Sequence, residues 1–129
     1  MAEMEAVLGE FEGVQQRLLA ALPNPGRLWV SGLTGRDRAV LLHGPRGVGK
    51  TSFMLRAAAE TEGVYLSMDH PALAGLPLHE WVEHLFKRGK AHVYLDEVHH
   101  AKGWGLSLKA LYDAWPDRHL WASGSSSLL

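Results

Sequence analysis

Apolar side chains recur at Met4, Val7, Leu8, Phe11, Val14, Leu18 and Leu22. This is helical spacing with one apolar face, packed on the domain below it. Gly9 and Gly13 weaken the helix, and Pro23-Asn24-Pro25-Gly26 ends it. Arg27 to Asp37 is a connector with one apolar piece, Leu28-Trp29-Val30. From there the pattern changes period. Arg38-Ala39-Val40-Leu41-Leu42-His43 reads as a short buried strand, and Thr51 to Glu62 as a helix rich in Ala, Leu and Met, with Gly63 as its stop. Val64 to Met68 is a second strand. Leu78, Trp81, Val82, Leu85 and Phe86 mark an amphipathic helix closed by Gly89. Ala91 to Leu95 is a third strand. Trp104, Leu108, Leu111 and Trp115 mark a helix stopped by Pro116, and His119 to Ala122 is a fourth strand. Short apolar strands alternating with helices predict an α/β domain, three layers thick, with a mainly parallel sheet.

Composition narrows this picture. A chain of 129 residues supports a single core. Its 47% apolar and 21% charged content is that of an ordinary soluble globular chain. A net charge of −1 provides no global basic field, so nucleic acid is not supported as a partner. The absence of cysteine excludes disulfides, thiolate metal sites and a cysteine nucleophile. Met1-Ala2-Glu3-Met4-Glu5 is not a signal peptide, and no apolar run has the length of a membrane span. The expected location is the cytoplasm.

The chemistry is concentrated in the first strand–helix junction. Gly44-Pro45-Arg46-Gly47-Val48-Gly49-Lys50-Thr51 fits the phosphate-binding pattern G-x-x-x-x-G-K-[ST], with a strand before it and a helix after it, as the motif requires. Glycines let the backbone wrap closely and turn its N–H groups inward. The helix start, through Ser52, adds unpaired N–H groups and the positive end of its dipole. Lys50 would reach the β- and γ-phosphates of ATP, and the Thr51 hydroxyl would ligate Mg²⁺.

A second stretch completes the constellation. Ala91-His92-Val93-Tyr94-Leu95-Asp96-Glu97 is an apolar strand ending in two carboxylates, where ligands bind in parallel sheets. Asp96 would hold Mg²⁺ through water, and Glu97 would act as general base on the attacking water. Ser123-Gly124-Ser125-Ser126-Ser127 leaves the fourth strand, where a polar side chain can contact the γ-phosphate. His99-His100 lacks further ligands at a recognisable spacing, and chain neighbours tend to point apart, so the pair is read as a loop pair rather than a metal site. His79 and His84 fall off the apolar stripe of their helix and are read as solvated.

Three stretches together resemble a prokaryotic family of AAA-type ATPases: Gly44 to Thr51, Tyr94-Leu95-Asp96-Glu97-Val98, and Gly103-Trp104 through Leu108-Lys109-Ala110-Leu111-Tyr112-Asp113 to Ser123-Gly124-Ser125-Ser126-Ser127-Leu128-Leu129. Members carry a GPR-x-x-GKT loop, a YLDE strand end, a GW-x-x-x-LK-x-LYD helix and a TGSSS-x-L sensor. The resemblance covers residues 36–129 and leaves 1–35 as an N-terminal helix and connector. It implies phosphate and Mg²⁺ binding at Gly44, Gly49, Lys50 and Thr51, metal coordination and water activation at Asp96 and Glu97, and a first sensor at Ser125 or Ser126. Ser123 replaces a usual Thr, and His99 stands where Gln is common. The resemblance also implies spatial strand order 5-1-4-3-2. The sequence ends before the fifth strand and lid, so the first strand is expected at an exposed edge. No arginine is placed to act in cis on the phosphates; Arg118 precedes the last strand, at the other end of the sheet. The function expected is Mg²⁺-dependent ATP binding and hydrolysis, with a protein partner or a second copy of the chain as candidate associates. The alternative is a truncated module that binds nucleotide without hydrolysing it and acts through a partner. A GTPase is not supported, because no N-K-x-D motif is present, nor a kinase, because no arginine-bearing lid is found.

Overall fold

Alternation along the strands decides which side chain faces which layer. In a strand, successive side chains point to opposite faces. Tyr65, Tyr94 and Trp121 therefore share one face with Leu42, while Leu66, Val93, Leu95, Leu120 and Ala122 share the other. The computed structural model describes residues 2–21, 38–42 and 49–124. In chain order these form α1 (Ala2–Ala20), β1 (Ala39–Leu42), α2 (Lys50–Thr61), β2 (Val64–Ser67), α3 (Leu78–Lys87), β3 (His92–Asp96), α4 (Trp104–Ala114) and β4 (His119–Ser123). Short 3₁₀ turns at Pro71–Leu73 and Val98–His100 follow β2 and β3. The Leu28-Trp29-Val30 piece lies outside the described residues.

Among the described residues the sheet has four strands, all parallel, in the order β1-β4-β3-β2. That is the predicted order without its fifth strand. β1 has no partner on its outer side among the described residues, and Leu41 on it is 40% exposed. One face is covered by α2, whose Met54, Leu55, Ala57 and Ala58 are buried against Tyr65, Tyr94 and Trp121. The other face carries the larger core, where Leu78, Trp81, Val82, Leu85 and Phe86 of α3 and Leu111 of α4 meet Leu66, Val93, Leu95 and Leu120. The α/β three-layer architecture read from the sequence is thus the one observed.

Two details of local structure depart from the sequence reading. The residue that ends α2 in the left-handed region is Glu62 (φ 56°), not Gly63. Gly63 is needed for a different reason: a Cβ there would stand 2.7 Å from the His92 carbonyl oxygen, so only glycine lets the backbones approach. Gly89 does take positive φ (94°) just after α3, as expected of a helix stop.

α1 lies over the β2 edge. Phe11 is buried in the larger core, Leu19 packs against the smaller one, and the Gln15 side chain accepts a hydrogen bond from the Tyr65 N–H at 3.0 Å. A side-chain amide thereby covers an outward-pointing backbone group of an edge strand, which would otherwise be open to pairing with another chain. His84 is also drawn in. It is buried, not solvated, and pairs with Glu5, which also pairs with Arg88. At the opposite edge, Arg38 donates to the carbonyls of Pro116 (2.9 Å) and Tyr112 (2.5 Å) and lies over the Tyr112 ring, which ties the start of β1 to the end of α4. Among the described residues no helix is long and apolar enough to cross a membrane.

Candidate functional site

The carboxyl ends of β3 and β4 converge on Asp96. Register alone brings the groups together: β3 and β4 pair through Leu95↔Ala122, so Asp96 and Ser123 are the next residues along, on the face toward α2. Each Asp96 oxygen accepts two donors. Oδ2 takes the Thr51 hydroxyl at 2.5 Å and the Tyr65 phenol at 2.6 Å; Oδ1 takes the Glu97 N–H at 3.0 Å and the Ser123 hydroxyl. A buried carboxylate needs such a set of donors to offset its lost hydration. Burial first, and then the Asp96 carboxylate, push the Tyr65 phenol well above its usual range, so it stays a donor.

α2 supplies the partner groups. Gly49 precedes the helix in the left-handed conformation (φ 96°), and Lys50 and Thr51 open its first turn. Lys50 Nζ reaches the Gly124 carbonyl at 2.8 Å, just beyond β4. The first loop and the end of the last strand are therefore bridged by the lysine that the motif singles out. Ser52 is half-buried in the same turn. Gly44, Pro45, Arg46, Gly47 and Val48, and the sensor candidates Ser125 and Ser126, lie outside the described residues.

Glu97 follows Asp96 with φ 52°, a left-handed conformation unusual outside glycine. It turns the chain sharply into the 3₁₀ turn Val98–His100. Its Oε2 is buried with no hydrogen-bond partner among the described residues and lies 3.5 Å from His99 Nε2. The same turn brings the His99 and His100 rings to 4.4 Å between centroids. The expectation that these neighbours point apart does not hold, because a 3₁₀ turn started by a left-handed residue folds both rings back over Glu97.

Lys50, Thr51, Asp96 and Glu97 are thus brought to one end of the sheet. Tyr65 and Ser123 belong there too, and sequence reasoning gave neither a role. The signal was strand parity: Tyr65, Tyr94 and Trp121 share a face, and the residues two beyond Tyr94 and Trp121 are Asp96 and Ser123. Arg118 lies at the opposite end. Its guanidinium donates to the Phe86 carbonyl at 3.1 Å and packs near the Trp115 ring. A cleft between α1, α2 and α3 of about 620 Å³ is also remote from Asp96; it opens beside Gly63 and Val64, where β2 begins.

A hydroxyl and a carboxylate joined at the head of a helix are oxygen donors of the kind a hard divalent cation takes. Thr51 spends its proton on Asp96, which leaves the lone pairs of its oxygen free for a cation. These residues fit Mg²⁺.

Among curated proteins no sequence matches this chain. The sequence profile of the AAA domain family matches residues 36–129, which span β1 to β4 and the whole of the Asp96 cluster. The chain belongs to that AAA domain family.

Proposed function

We propose that the chain binds ATP with Mg²⁺ and hydrolyses it to ADP and phosphate. The observation that carries this reading is the Thr51–Asp96 hydrogen bond of 2.5 Å beside Lys50, at the carboxyl end of a parallel sheet. In this reading the loop Gly44 to Ser52 cradles the phosphates through the backbone N–H groups of its residues other than Pro45, and Lys50 leaves its carbonyl partner for the β- and γ-phosphates. Thr51 would hold the metal directly and Asp96 through water, and the bound metal would neutralise charge on the transferred phosphoryl group. Glu97 takes a proton from the attacking water. Ser125 or Ser126 contacts the γ-phosphate. Tyr65 and Ser123 fix the Asp96 carboxylate so that its lone pairs keep one direction. Catalysis rests on positioning and on charge, not on covalent chemistry.

ATP binding and turnover are measured with Mg²⁺ for the parent, Lys50→Ala and Glu97→Gln. Loss of binding by about tenfold or more is expected in the lysine variant. The glutamine variant should keep its affinity while turnover falls on the order of a hundredfold. Unchanged binding in Lys50→Ala would end the loop assignment. Unchanged turnover in Glu97→Gln would remove the base. Binding without any turnover in the parent would make the domain a nucleotide-responsive binding module.

A further inference from the structure

The turn after β3 places a carboxylate and two imidazoles within reach of one ion. Ligand atoms of Glu97, His99 and His100 all lie within 4.8 Å of one another. The His99 Nε2 to Glu97 Oε2 separation of 3.5 Å is long for a hydrogen bond. It equals the edge of a tetrahedron around an ion with ligand distances near 2.0–2.1 Å, which is about 3.4 Å. His100 is exposed, so side-chain rotation can bring its ring nitrogen to the same ion. Glu97 Oε2 is buried without a hydrogen-bond partner among the described residues, its one charged neighbour there being His99 Nε2. The fold itself sets this up: Glu97 in a left-handed conformation and the 3₁₀ turn after it bring Glu97, His99 and His100 together while Val98 enters the core. Two imidazoles and one carboxylate suit zinc-class ions and are poor ligands for Mg²⁺, which takes oxygen.

We propose that Glu97, His99 and His100 form a binding site for a divalent transition-metal ion of the zinc class, and that its occupancy withdraws Glu97 from hydrolysis. The inhibitory half rests on the ATPase reading above; the binding half does not. With Glu97 Oε2 bound to the ion, the carboxylate gives up charge to the metal and is a weaker base toward the attacking water. Thr51 is not a ligand of this site, so nucleotide binding persists while turnover falls. The exposed edge of His100 gives the ion its entry.

The test has two arms. Nucleotide-free protein is titrated with Zn²⁺ by calorimetry and with Co²⁺ by visible absorption, for the parent, His100→Gln and His99→Ala/His100→Ala. One ion per chain is expected in the parent, with tetrahedral Co²⁺ bands. Affinity should fall about tenfold or more in the single variant and further in the double. Because His100 is exposed, His100→Gln should melt at the parent temperature, which keeps the test valid if the double variant is less stable. Equal affinity in all three proteins would overturn the site, since the chain has eight histidines that could bind elsewhere. In the second arm, ATP turnover in excess Mg²⁺ is followed as Zn²⁺ is added, each protein being compared with its own zinc-free rate. Inhibition in the parent that is lost in the double variant supports the regulatory half, and equal inhibition in both overturns it. A parent that hydrolyses no ATP sinks the ATPase reading and the inhibitory half with it, while the titration still decides the metal site.

Discussion

Two regions of this domain are built around a carboxylate, and they are held by opposite means. At the head of β3, Asp96 is 3% exposed and both of its oxygens are engaged twice. On the flank, Glu5 of α1 is 42% exposed and pairs with the buried His84 and the exposed Arg88. In the first region polar bonds fix the geometry, because a buried carboxylate without its donors is expensive. In the second, apolar burial does the holding. Phe11 is 1% exposed in the main core. The contrast separates parts built for placing a ligand from parts built for keeping a helix in place. It also shows that α1, which precedes the family match at residue 36, shares the core of the matched domain.

The largest expected effect comes from the apolar anchor. Phe11→Ala should lower unfolding free energy by about 3–5 kcal/mol, the usual range for deleting a fully buried aromatic ring. Urea unfolding followed by tryptophan fluorescence measures it. A loss below about 1 kcal/mol would mean that α1 is peripheral, and the comparison would fail on its apolar side. A smaller effect is expected on the polar side. Tyr65→Phe removes one of four donors to Asp96 and should cost about 1.5–3 kcal/mol, the range for hydrogen bonds to charged groups. Thermal unfolding of the nucleotide-free protein reads this directly. A variant as stable as the parent would show that the other three donors suffice to hold the carboxylate.

Legibility in the sequence follows the range over which each signal acts. The α3 stripe Leu78, Trp81, Val82, Leu85 and Phe86 is a local period, and all five residues are buried as read. Lys50, Thr51 and Asp96 were legible because glycine spacing and a strand end fix backbone shape over a few residues. His84 was misread because its surroundings are set by Glu5, 79 positions away in the chain, and no local period carries that. Gly63 was read as a helix stop because glycine favours left-handed backbone, whereas its actual constraint is the close approach of His92 from a neighbouring strand. Ser123 and Tyr65 lay between these cases. Their parity with Trp121 and Tyr94 was visible, but only the register of parallel strands turns parity into contact with Asp96. The close approach of the His99 and His100 rings was not legible, because neighbours on an extended backbone point apart and the left-handed Glu97 with the 3₁₀ turn after it removes that backbone.

The smallest effect expected is at Glu5, and it sharpens the comparison through its sign. Hydrogen bonding from His84, then from Arg88, holds the Glu5 carboxyl below its ordinary value of 4.5. A carboxylate with a lowered folded value binds fewer protons in the folded state than in the unfolded one across that window. Its contribution is therefore fully present above the unfolded value of 4.5 and is lost as pH falls through the lower folded value. Glu5→Gln should be slightly less stable than the parent at neutral pH, and the two unfolding curves should merge in acid. Because Glu5 and Arg88 are exposed, the difference should also shrink with added salt. Urea midpoints for both proteins from neutral to acid pH, at low and high salt, measure this. A difference that survives acid and salt would mean that Glu5 acts by packing rather than by charge. The α1 flank would then rest on shape alone, and the Asp96 cluster would be the one region of the two where a carboxylate's charge shapes the fold.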